Sequence, residues 1–121
     1  GAIARARAAT AEWEQTGSRI FLATAHGFLA SALLEAGRPA EGLAAADRGI
    51  ALAETTLDRM YEAELWRLKG EATLLAGGSA AEARDCFARA LEIASAQGAN
   101  ALEQRAAESR ARLAGRPSAT R

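Results

Sequence analysis

The sequence predicts an all-α fold, a row of antiparallel helical hairpins with about five helices, on three observations. Of 121 residues, 34 are alanine and 14 leucine, while four are isoleucine and none is valine. Strong helix formers therefore dominate, and the β-branched residues that fill sheets are nearly absent. Apolar residues recur at helical spacing, as in Leu22, Ala25, Leu29, Ala32, Leu33 and Ala36, or Leu65, Leu68, Ala72, Leu75 and Ala76. The chain also repeats itself, at an offset of roughly 40 residues. Leu34-Glu35-Ala36-Gly37-Arg38-Pro39 returns as Leu113-Ala114-Gly115-Arg116-Pro117, with Leu75-Ala76-Gly77-Gly78 midway, and Arg19-Ile20-Phe21 aligns with Arg59-Met60-Tyr61.

The elements follow from caps and breakers. An orphan helix covers residues 3–15. Ser18 is the N-cap of a helix running to about Ala36, where Gly37 adopts positive φ and stops it. Pro39 fits the first turn of the next helix, with Glu41 near the positive end of its dipole, and this helix ends near Thr55. Together these make repeat one, residues 18–55. Asp58 caps a helix to about Ala76, and Ser79-Ala80-Ala81-Glu82 is a capping box for another that ends near Gln97-Gly98, completing repeat two, residues 58–97. Asn100 opens a half repeat, residues 100–114. The whole is one domain, residues 1–117, followed by a frayed tail, 118–121. Short loops make sequential helices antiparallel. Glycine inside a helix costs about 1 kcal/mol relative to alanine, so Gly42, Gly49 and Gly70 mark tight helix crossings, to which Ala30, Ala83 and Ala90 add small side chains.

Repeat two also carries a family resemblance. Trp66 and Gly70 on its first helix, then Ala83, Phe87, Ala90 and Leu91 on its second, resemble the pattern of the tetratricopeptide repeat (TPR). Repeat one matches with His26, Leu29, Ala30, Gly42, Ala46, Gly49 and Ile50, without an aromatic on its second helix. The period, longer than the usual one of that family, means longer helices. Tyr61 to Glu71 and Ala81 to Ala94 are further similar to the C-terminal repeats of large bacterial regulators that join an ATPase module to a nucleotidyl-cyclase or winged-helix domain. The resemblance implies a right-handed TPR-like α-solenoid, a fragment of a larger cytoplasmic signalling or transcriptional regulator. Its expected role is a non-catalytic protein-interaction or effector-sensing scaffold, with a protein or peptide as partner.

Composition narrows the chemistry in the same direction. Fifteen basic and fifteen acidic side chains give zero net charge, without the cationic excess that nucleic acid demands. No apolar run approaches the length of a membrane-spanning helix, and neither a leader nor a lipidation signal stands at either end, so no membrane partner is expected. One histidine and one cysteine make no metal cluster, no phosphate loop is present, and neither a cofactor nor catalysis is expected. Cys86, beside Phe87, reads as an inert buried thiol, and His26 as a packed or half-exposed helix residue. The pairs Glu12/Glu14 and Glu62/Glu64 read as solvated, with surface pairing of Glu64 to Lys69 and Glu71 to Arg67.

If first helices line the concave face, as the resemblance implies, the groove is lined by Phe28, Ser31 and Glu35, then Glu64, Arg67 and Glu71, then Arg105, Ser109 and Arg112. Arg67, Arg105 and Arg112 would clamp an acidic peptide, tail or small anion through charge-assisted hydrogen bonds. The alternative is a homodimer formed through open helical ends, with Ile3, Trp13, Leu102 and Leu113 on the exposed faces. The competing expectation is that Ile3 and Trp13 fold inward against the first full hairpin.

Overall fold

A computed structural model describes residues 1–16, 21–56, 61–98 and 100–115. These residues are all-helical, with no strand among them. The helices are α1 (Ala2–Thr16), α2 (Leu22–Glu35), α3 (Pro39–Thr56), α4 (Glu62–Leu75), α5 (Ala80–Gln97) and α6 (Asn100–Ala114). Six are described in place of about five, a number that the elements drawn from caps and breakers reach once the orphan helix is counted with the two repeats and the half repeat. No described helix is long and apolar enough to cross a membrane.

Helix ends obey local rules that recur from one repeat to the next. At the end of α2, Gly37 adopts φ +75°, and the Gly37 and Arg38 N–H groups donate to Leu34 O at 3.1 Å and Leu33 O at 2.9 Å. Gly77 repeats this after α4 with φ +89°, as Gly77 donates to Leu74 O and Gly78 to Thr73 O. Both are Schellman ends, in which a residue without Cβ reverses the chain and satisfies orphan carbonyls. Pro39 occupies the first position of α3. Ser79 and Glu82 form the capping box of α5, with the Glu82 N–H donating to Ser79 Oγ at 3.0 Å. The starts of α2 and α4 depart from expectation: the described helices begin at Leu22 and Glu62, each preceded by an aromatic residue, Phe21 or Tyr61, without a side-chain cap. The caps assigned to Ser18 and Asp58 lie outside the described residues, as does the tail after Gly115.

Each helix packs on its sequence neighbours, and in addition α2 touches α4 and α4 touches α6. Helix α4 thereby meets four others. Among the described residues, small and branched side chains form three buried clusters, with Phe87 also fully buried. Ala30, Leu33, Ala45, Ala46 and Leu68 form one, and Ala23, Ile50, Ala53 and Leu65 the next. Ala63, Ile93 and Ala94 form the third, and Trp66 packs against both the second and the third.

Glycines mark the close crossings. A Cβ on Gly70 would enter the ring of Phe87, which is fully buried together with Ala83 and Ala90. On Gly49 it would lie 2.6 Å from Leu65 Cδ2 and 3.2 Å from the Ala23 carbonyl, and on Gly42 3.0 Å from Leu34 Cδ2. Gly27, which no sequence signal singles out, is a fourth such position, its face occupied by the ring of Tyr61.

These surroundings separate two substitutions of the same type. Gly70→Ala forces a rigid, enclosed ring to move and should destabilise the fold by about 1–3 kcal/mol despite alanine's better helix propensity. Gly42→Ala meets the movable end of a half-buried leucine and should be neutral or slightly stabilising. Thermal unfolding of the two variants checks the order.

Candidate functional site

Three side chains on α4 and three on α6 meet in one polar network. Glu64, Arg67 and Glu71 share a face of α4 by their three- and four-residue spacing, as do Arg105, Ser109 and Arg112 on α6. Arg67 donates to both oxygens of Glu64, from Nε at 2.8 Å and Nη2 at 2.6 Å. Its Nη1 lies 3.4 Å from Glu71 Oε2. From α6, Arg105 Nη2 reaches Glu64 Oε2 at 3.0 Å, Ser109 Oγ donates to Glu71 Oε2 at 2.8 Å, and Arg112 Nη2 reaches the same oxygen at 2.7 Å. Three guanidinium groups thus surround two carboxylates, leaving one positive charge.

The members differ sharply in exposure. The side chains of Glu64 and Arg67 are 2% and 11% exposed, whereas those of Arg105 and Arg112 are 53% and 63% exposed. Burial alone would lower the Arg67 pKa, but the hydrogen bonds and charge of Glu64, with that of Glu71, outweigh it and hold the guanidinium above its ordinary value. Tyr61 borders the network, its hydroxyl pushed up by burial and by the Glu64 carboxylate. Against Tyr61 packs Phe28, edge-on at 5.7 Å and largely exposed.

Several sequence expectations change here. Glu62 and Glu64 are not solvated but buried, because neighbouring helices cover the first turn of α4. Glu64 pairs with Arg67 and Arg105 rather than Lys69, which turns to Asp47 at 2.9 Å and lies over the Trp66 ring at 5.1 Å. All three arginines of the expected clamp pair with Glu64 or Glu71; Arg67 is enclosed among them, whereas Arg105 and Arg112 are exposed. Glu35 lies elsewhere, beside Ile3, Arg7 and Ala36 in an open groove of 660 Å³ between α1 and α2. Ser31 is half-buried on α2.

The four residues assigned to open ends are all half-buried. Ile3 packs against the first core cluster, Leu102 against the third, Trp13 lies 5.4 Å from the Phe21 ring, and Leu113 is half-buried on α6. The exposed large apolar residues among those described are Phe21, Phe28 and Leu75. Among the described residues no group of three or more His, Cys, Asp and Glu is placed to hold a metal ion. Cys86 is buried, which pushes its thiol pKa up. His26 is 5% exposed, and among the described residues neither ring nitrogen has a hydrogen-bond partner. No protein family, curated protein or solved structure matches this chain.

Burial at His26 and at Glu64 has measurable consequences. Desolvation lowers the His26 pKa, and nearby Arg48 reinforces this while Glu14 opposes it. The unfolded chain therefore takes up a proton near pH 6.5 that the folded chain resists, so stability holds above that pH and falls as pH drops through it toward the lowered folded value. Denaturant unfolding across this range should show the slope, and His26→Leu should remove most of it. Glu64→Gln withdraws the buried partner of Arg67 and should cost roughly 2–4 kcal/mol. Glu92→Gln, which breaks an exposed pair with Arg89, should stay within about 0.5 kcal/mol. Both are read by chemical denaturation.

Proposed function

We propose that the chain is a non-catalytic interaction segment of TPR-like hairpins, stacked right-handed, within a larger cytoplasmic signalling or transcriptional regulator. It binds a protein or peptide on the face of α2, α4 and α6. In support of the stack, α2, α4 and α6 touch in sequence while each also packs on its chain neighbours. The two Schellman ends and two aromatic helix entries recur from one hairpin to the next. The burial of the single histidine and the single cysteine fits a role without catalysis.

The observation that carries the binding reading is the juxtaposition of an exposed aromatic anchor with a network holding surplus positive charge. Phe28 and Tyr61 offer an apolar edge, and the half-exposed guanidiniums of Arg105 and Arg112 have donors left to give. The partner is an acidic segment with a neighbouring apolar side chain, held by charge-assisted hydrogen bonds and an aromatic contact.

Selection of a random-peptide phage library on the immobilised chain tests this. Enriched peptides should pair a carboxylate with an aromatic or aliphatic residue, and should bind Phe28→Ala and Arg105→Ala about tenfold more weakly, equivalent to about 1.4 kcal/mol. Enrichment of peptides without acidic residues, or equal binding to both variants, overturns the reading.

A further inference from the structure

Helix α6 packs on α5 and α4, buries few of its own residues, and is tied to α4 by ion pairs. Of its fifteen residues only Ala106 and Ser109 are buried, and its large apolar residues, Leu102 and Leu113, are half-buried. Helix α5 buries six residues, including Phe87 and Ile93. Position on α6 is instead fixed by Arg105 on Glu64 and by Ser109 and Arg112 on Glu71. The first of these falls on a carboxylate that is almost wholly enclosed, whereas the ion pairs from α1 to α3, Arg7 to Glu41 and Glu14 to Arg48, join groups exposed on both sides.

The enclosed carboxylate does not need α6. Arg67, on the same helix, already gives Glu64 two hydrogen bonds and lies beside Glu71. Departure of α6 therefore strands no buried charge. It uncovers Ala63, Ile93 and Ala94 with the edge of Trp66, where Leu102 packs. It also leaves this face of α4 with two carboxylates against one guanidinium, a net negative charge. An apolar surface flanked by acid is complementary to what α6 supplies: an apolar residue, Leu102, followed by arginines three and ten positions later. The joint is short, with Gly98 closing α5 two residues before α6 begins.

We infer that α6 is a displaceable helix, and that the surface of α4 and α5 beneath it is a receptor for a basic amphipathic helix from a partner. This goes beyond the peptide face proposed above, uses none of its aromatic anchor, and fails or stands independently of Phe28.

Amide hydrogen exchange on the intact chain tests the first half. Helix α6 should exchange as a unit ahead of α4 and α5, roughly tenfold faster when salt rises from about 0.05 to about 0.5 M, because its half-exposed arginines are screened. Exchange of α6 at the rate of α5, or insensitive to salt, overturns it. The second half uses a labelled peptide of residues 98–115 as probe, with the full chain carrying Arg105→Ala and Arg112→Ala as receptor. The native peptide should bind about tenfold more tightly than one carrying Arg105→Glu and Arg112→Glu. Equal affinity, or no binding to a folded receptor, overturns it. If the receptor variant does not fold, the full chain carrying Arg112→Ala alone takes its place, with the same two outcomes.

Discussion

Helix axes must come close together in this chain, because with 34 alanines, no valine and three phenylalanines it has few large side chains to fill the gaps between helices. Alanine removes little apolar area from water, so packing at native density requires the backbones themselves to come near. Glycine permits this where even a methyl group would intrude, at Gly70 against Phe87, Gly49 against Leu65 and Gly27 against Tyr61. Each such glycine sacrifices helix propensity, and the tight crossing it permits compensates.

The same crowding explains why polar groups sit inside. Helix α4 touches α2, α3, α5 and α6, so little of its surface is left for solvent, and Glu62 and Glu64 are enclosed. A buried carboxylate is tolerated when a guanidinium meets it with good geometry, and Arg67 does so at Glu64 through two short bonds. Such a pair contributes less to net stability than to placement. Because the carboxylate oxygens of Glu64 and Glu71 accept from fixed directions, Arg105, Ser109 and Arg112 set the position of α6 along α4.

Signals confined to one turn of chain were legible in the sequence, and signals that depend on which face a neighbouring helix covers were not. The ends at Gly37 and Gly77, the proline at the start of α3 and the Ser79–Glu82 box each involve residues close together in the chain, and their local chemistry names the outcome. The spacing of Glu64, Arg67 and Glu71 likewise puts them on one face. Spacing cannot say whether another helix covers that face, and here α6 does, which turned an expected solvated carboxylate into a buried one and an expected clamp residue into its partner. Gly27 carried no signal for the same reason, since Tyr61 lies beyond the whole of α3. The described starts of α2 and α4 at Leu22 and Glu62 carry no side-chain cap, the usual sequence mark of a beginning.

The charge of the network ties the two proposed surfaces together. With α6 seated, three guanidiniums face two carboxylates and the face is positive; with α6 withdrawn, one guanidinium faces two carboxylates and it is negative. An acidic partner therefore meets complementary charge only while α6 is docked, and a basic helix only once α6 has left. Each ligand has a differential affinity for the two states, which is the requirement for shifting the equilibrium between them. Linkage then makes the effect reciprocal: an acidic peptide that holds Arg105 and Arg112 in place weakens the binding of a basic helix by the same factor as the helix weakens the peptide. Antagonism of this kind leaves the buried pair intact, because Arg67 gives Glu64 two hydrogen bonds from the same helix whether or not α6 is seated.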